Sequence, residues 1–374
     1  MSDTDEPVSK FIDQYKNYGR TDAILQEERR QRLLDKQKRC RELELDAGRP
    51  GLLEELETEQ HPDESMECQQ SQTKRSQKRV RIITSKLFAN KVQRSEWMHE
   101  RPDDLAQWLV RPCPVGQRCL LVFRQRLAIA FNKRGRSIAA IRTKRPLRDA
   151  IVLDCILAND RTFYILDALV LAQVDLVNCD CQFRFAWIES KFYDNSLGEL
   201  LETKTANGKE GFRLSMLPSY DLAHHSAMEN CWSHYPAFPN ATPKLDGYLF
   251  YHKESHYVYG KTPLVVWLFA FMLNDVLKLP AGLVNEGYLC DKPARYTGNY
   301  AEYIEEFDRM QAKRKRKPRT KKPPTRAMDT TGESVDDHPD DTTLWEAMEA
   351  APLDSDDDDL CPNEEDAMRQ LEME

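Results

Sequence analysis

The chain has 374 residues, of which 31% are charged and 40% hydrophobic, and a formal net charge of −8. No run approaches eighteen apolar residues and no hydrophobic stretch follows the first Met, so neither a membrane span nor a secretory route is expected. The ten cysteines are scattered, several in polar segments, which fits a reducing cytosol or nucleus and no disulfide framework.

The charge is segregated. From residue 327 to the end there are eighteen acids and one base, Arg369, while residues 311–326 hold nine bases and no acid. Residues 1–310 balance to zero, which argues against a broad electrostatic surface for bulk nucleic acid on the folded body.

Residues 1–20 read as a disordered N-terminus. Residues 21–47 contain no Pro or Gly and are rich in helix formers, with Glu28–Arg32 and Asp35–Arg39 in the favourable order for helical ion pairs. The apolar stripe (Ile24, Leu25, Leu33, Leu34, Leu43, Leu45) is thin, so the helix is expected to bury too little to be held by its own domain and to be ordered by an acidic partner. Residues 48–86 read as a linker.

Residues 87–307 have the apolar content of one α+β domain, antiparallel and rich in β-structure. Strands are expected at 108–110, 119–123, 127–131, 151–156, 162–170 and 181–188, separated by turn residues. A hairpin follows at 245–269, then helices near 268–277 and 299–313. Alternation in the second arm puts Leu264, Val266 and Leu268 on one face and Val265, Trp267 and Phe269 on the other. Strand pattern alone favours reading Trp267 as core, although a flat ligand would suit the second apolar face.

Familiar chemistry is scarce. There is no G-x-S-x-G, phosphate-binding glycine loop or G-x-G-x-x-G, and Cys179, Cys181, His224, His225 and Cys231 fit no standard zinc spacing. No metal or cofactor is expected. What remains is a set of tryptophans (97, 108, 187, 232, 267) and basic residues at turns, the means by which single nucleotides are held.

Three blocks together resemble the snurportin family of adaptors that import spliceosomal U snRNPs by their trimethylguanosine caps. The first is QYKNYG…EERRQRLLDKQKR; the second runs from SEW at 95–97 through CPVGQR to NKRG; the third holds ILDAL, CQFRFAWIESK and LDGYLFYHK…TPLVVWL. The resemblance implies a cap-binding domain similar in fold to the nucleotidyl-transfer domain of mRNA guanylyltransferases, without the catalysis. It implies that Trp267 stacks the methylated base, that Ser95 and Trp97 line the cap pocket, and that Lys133 meets the triphosphate. Gln117, Arg118, Ser190 and Lys191 fall in segments it associates with cap contact. It further implies an importin-β-binding helix using Arg29, Arg30, Arg32, Leu33, Leu34, Lys36, Lys38, Arg39 and Arg41. An export receptor of the exportin family, the U snRNP core particle and shuttling between cytoplasm and nucleus complete the implied setting.

Two other readings compete. Lys244-Leu245-Asp246-Gly247 reads K-x-D-G, the pattern of the nucleophilic lysine of guanylyltransferases and ligases. It comes late in the folded stretch, where a later strand of that fold suits it better. The basic segment 308–326 would alone pass for a nuclear localisation signal, and the acidic tail 327–374 reads as disordered.

Overall fold

The computed structural model of the protein describes residues 19–47, 52, 84–194, 196–202, 211–239 and 243–316. The segment before residue 19, most of the expected linker and everything after 316 lie outside the described residues. The chain divides into two compact units, Met1–Tyr300 and Ala301–Glu374.

In chain order the elements are α1 (Gly19–Ala47), β1 (Thr84–Ala89), β2 (Gln93–Trp97), β3 (Trp108–Pro114), β4 (Gly116–Phe131), β5 (Arg134–Ala158), β6 (Thr162–Leu171), β7 (Val174–Asp175) and α2 (Cys181–Asp194). Then follow β8 (Arg213–Met216), β9 (Tyr220–Asp221), α3 (His225–Trp232), β10 (Leu245–His252), β11 (Gly260–Leu268), α4 (Leu273–Leu277), α5 (Glu286–Cys290) and α6 (Tyr300–Arg316). Within the second unit, α6 places Tyr303 and Phe307 one turn apart, their ring centroids separated by 6.3 Å.

The first unit is α+β with largely antiparallel sheets, as expected. One sheet runs β1-β5-β6-β7, with β4 also on β5 and β8 parallel to β6; the other runs β2-β11-β10-β3-β9, with β2 parallel to β11. Strand β3 is buried along its whole length, and the chain passes from it through Val115 into β4 of the other sheet. The two strands expected at 119–123 and 127–131 are one, bent at Gln125, whose φ of 51° marks a bulge where the register shifts.

One expected strand is a helix. Residues 181–188 carry β-favouring aromatics, but Cys181, Arg184, Phe185 and Ile188 repeat at helical spacing and are buried together in α2. Asp180 accepts a hydrogen bond from the Phe183 amide at 2.8 Å, an N-cap at the first turn. Arg184 fixes the helix to the sheet through both oxygens of Asp167, at 2.9 and 2.8 Å, with both side chains fully buried. It also donates to the carbonyls of Cys179 and Ser255.

The expectation that α1 is not held by its own domain is also overturned. Gln26, Arg30, Leu34 and Gln37, spaced four, four and three apart, are 1%, 3%, 5% and 9% exposed. Gln26 donates to Glu96 and to the Trp97 carbonyl, both at 2.9 Å. Arg30 donates to the Pro263 carbonyl at 3.0 Å and lies 5.1 Å over the Trp108 ring. Gln37 accepts from the His256 amide at 3.2 Å, and Lys38 pairs with Glu254 at 3.0 Å. The inward face is polar, so a count of apolar positions does not register it. Each such bond is worth about 0.5–1.5 kcal/mol net, more for charged groups, and several together hold a helix that is marginal alone.

Candidate functional site

Among the five expected tryptophans, Trp108 and Trp232 are core, whereas Trp97, Trp187 and Trp267 are half-buried. Two of these three meet. Strands β2 and β11 run parallel with Trp97 in register with Trp267, and the Met98 amide donates to the Trp267 carbonyl at 3.1 Å. Phe269 joins them, its ring 5.5 Å from Trp97 and 6.1 Å from Trp267. Ser95 is on the same strand, two residues from Trp97 and so on the same side.

The neighbouring strand makes room for the indole. Gly247 of β10 lies beneath Trp267: a Cβ placed there would sit 2.5 Å from the ring carbon Cζ2 and 2.5 Å from the Leu268 carbonyl oxygen. Only the absence of a side chain allows this approach. Gly247 is opposite Cys113 on β3, and the Val115 amide donates to the Lys244 carbonyl at 2.8 Å. The end of β3 and the start of β4, with Gln117 and Arg118, therefore adjoin the segment under Trp267.

Arg118 is gripped by Asp154 through two bonds of 2.9 and 2.8 Å, and the Tyr257 hydroxyl donates to the same carboxylate at 2.6 Å. Burial opposes the Arg118 charge, but the carboxylate outweighs it and the guanidinium is held firmly protonated. Gln117 is exposed. Nearby Cys113 is no nucleophile, since burial pushes its thiol up to about 12.

The other expected cap residues lie elsewhere. Lys133 is exposed on the turn between β4 and β5, and its carbonyl accepts from the Asn90 amide at 2.8 Å. Asn90 precedes β2 and Trp97 ends it, so Lys133 and the tryptophans are at opposite ends of that strand, which rises roughly 3.3 Å per residue. Ser190 and Lys191 are in the last turns of α2, both bonded to Asp194 at 3.1 and 3.2 Å, with the Lys191 ammonium 4.8 Å over Trp187.

The residues expected to meet a transport receptor divide into two. Arg30 and Leu34 are buried, Arg29 and Lys38 are paired with acids of the body, and Leu33 and Lys36 are half-buried. Arg32, Arg39 and Arg41 are exposed; Arg32 pairs with Glu28 at 3.2 Å. Burial pushes the Arg30 guanidinium down, against the pull of Glu27. Glu96, the middle residue of the SEW segment, has a role that only the packing reveals. It alternates with Ser95 and Trp97, so it faces the other side of β2 and receives α1 there. A cavity of ≈ 460 Å³ lies between α1 and Glu100, Arg101 and Asp103, away from Trp267.

Lys244 is exposed at the start of β10. Among the described residues no cluster of His, Cys, Asp and Glu could hold a metal ion, and no helix is long and apolar enough to cross a membrane.

Residues 91–270 match the family model described as Snurportin1, m3G cap-binding domain. Among solved structures, the chain is similar to the ligase domain from M. tuberculosis LigD, with 13% identity over 48% of this chain and 59% of that one and a TM-score of 0.29. It is similar to mycobacterial DNA ligase D complexed with ATP and MES, with 14% identity over 48% and 60% and a TM-score of 0.29. A third similarity is to a Lig E DNA ligase, with 11% identity over 47% and 68% and a TM-score of 0.26. The chain spans about three fifths of the length of the first two ligases. The match over residues 91–270 takes in the strands that carry Ser95, Trp97, Gly247 and Trp267, and it supports a snurportin-type protein.

Proposed function

We propose that this protein is a nuclear import adaptor that binds the 2,2,7-trimethylguanosine cap of U snRNAs and links the U snRNP core particle to importin-β, with an export receptor of the exportin family returning it to the cytoplasm. The observation that carries the reading is the pair of half-exposed tryptophans, Trp97 and Trp267, side by side within the matched domain. Methylation at N7 makes guanine cationic, which strengthens its stacking on indole. Two methyl groups on N2 remove that nitrogen's hydrogens and favour an apolar wall, which Phe269 supplies beside both rings.

No step of covalent chemistry belongs to this reading. A nucleophilic lysine needs a desolvated pocket that depresses its pKa, and Lys244 is exposed. The importin-β link is supported by the chemistry of α1, whose Arg29 and Lys38 are already met by the acids Glu96 and Glu254. An acidic receptor would take over the same cations.

Fluorescence titration of the full chain with trimethylated and monomethylated cap dinucleotides tests the proposal. The trimethylated cap should bind more tightly; equal affinities would overturn the snRNP assignment even if both bound.

A further inference from the structure

The balanced charge of residues 1–310 conceals a second segregation. Between Cys119 and Arg148 there are nine basic residues and no acidic one. The fold gathers them, because this stretch is the ribbon in which β4 turns back as β5, with Gln125 opposite Leu147 and Leu127 opposite Arg142. Arg126, Arg136, Arg142, Lys144 and Arg148 are all exposed. Among the described residues, these five enter no ion pair.

The face they use follows from the register. Ala128 and Ile141 are opposite one another and buried, so Leu127, Ala140 and Arg142 are on the outer face, with Lys144 two residues on and the buried Thr143 between. The bulge at Gln125 splays Arg126 at the other strand, and Arg136 borders β1, where Lys86 is exposed. Like charges on neighbouring strands destabilise a ribbon. A polyanion lying along it would relieve that repulsion.

We infer that this ribbon is a second nucleic-acid contact, taking the phosphodiester backbone of the RNA strand that follows the cap. Four of the five exposed bases are arginines, whose forked guanidinium matches phosphate oxygens. Arg142 and Lys144, two residues apart on one strand face, suit successive phosphates of an extended single strand. No exposed aromatic ring interrupts the outer face at Leu127, Ala140, Arg142 and Lys144, so the contact is electrostatic and indifferent to base sequence. The turn of the ribbon holds Lys133, the base assigned by resemblance to the cap triphosphate, at the other end of β2 from Trp97, so an RNA strand leaving the tryptophan pair would run the length of that strand to reach the ribbon. The inference rests on the capped-RNA reading.

The experiment compares a cap dinucleotide, a capped single-stranded oligonucleotide of about a dozen nucleotides and its uncapped counterpart across a salt series, with the full chain and with its R136Q/R142Q/K144Q variant. The capped oligonucleotide should bind at least tenfold more tightly than the dinucleotide at about 50 mM salt, and the gain should fall steeply with salt. The variant should lose that gain and flatten the log–log salt slope by about 2, at roughly 0.7 per phosphate contact on a single strand. Its unchanged dinucleotide affinity would report an intact fold. If the dinucleotide fails to bind but the uncapped strand binds and is lost in the variant, the cap reading falls and the ribbon contact stands. Equal affinities and slopes for dinucleotide and oligonucleotide in the wild-type chain would overturn the inference. So would polyglutamate binding as tightly as the RNA with the same loss in the variant, which would make the ribbon a dock for acidic protein.

Discussion

Arg29 grips both carboxylate oxygens of Glu96, Nη1 to Oε1 at 2.7 Å and Nη2 to Oε2 at 2.8 Å. The helix assigned by resemblance to a transport receptor is thereby tied to the strand that carries Ser95 and Trp97, on the opposite face from the tryptophan pair. The ends of α1's grip and the tryptophan pair are thus on two sides of one five-residue strand.

Replacing Glu96→Ala should release α1. A charge-assisted bidentate pair is worth about 1.5–3 kcal/mol, so amide exchange of residues 26–41 should rise tenfold or more. On the proposed adaptor reading, importin-β should bind the variant more tightly, because it would no longer compete with the body for Arg29. Exchange unchanged from wild type would mean that this pair does not hold the helix.

Acid should weaken the same region. Burial, with Arg184 and Arg41 nearby, pushes the His256 imidazole down to about 4 from 6.5. A folded pKa below the unfolded one means that the unfolded chain binds the proton first, so stability present above about pH 6.5 is lost as pH falls towards 4. Glu96 adds a loss lower down: burial would raise its carboxyl, but hydrogen bonds from Arg29 and Gln26 outweigh this and hold it below 4.5. Urea unfolding at pH 7 and pH 5 should show the first loss, and His256→Gln should reduce it.

Cap affinity should depend on Trp267 and on the empty space beneath it. Trp267→Ala should lose at least tenfold, since stacking is worth about 1–3 kcal/mol per base. Gly247→Ala forces the indole or the Leu268 carbonyl to shift, an overpacking cost of about 1–3 kcal/mol. It should therefore weaken cap binding in a protein that still folds. Wild-type affinity in either variant, measured by fluorescence titration, would remove Trp267 from the site.

Asp167→Ala should leave the Arg184 guanidinium buried without its carboxylate, at a cost of about 3–5 kcal/mol. The thermal midpoint should drop by several degrees. A midpoint close to wild type would show that water or the Cys179 and Ser255 carbonyls suffice to satisfy Arg184.

Much of this was legible in the residues. The long Pro- and Gly-free run predicts α1, and alternation with turn punctuation predicts the β-rich body, because both signals are local. The aromatic hairpin and the SEW segment point to Trp97 and Trp267, yet five tryptophans look alike until packing buries Trp108 and Trp232. The aromatic content of the α2 segment suggests a strand, although Asp180 and the 181, 185, 188 spacing carry the helix signal.

The linear order of residues sets which stretches are basic, which alternate, and which can form a helix. Tertiary structure alone decided which residues meet. It brought Arg29 to Glu96 across 67 residues, set Gly247 under Trp267, and folded nine bases into one ribbon within a body whose charges sum to zero. The reason is physical. A polar helix face, a missing side chain and a balanced net charge leave no periodic trace, since each acquires meaning only from the atoms packed against it.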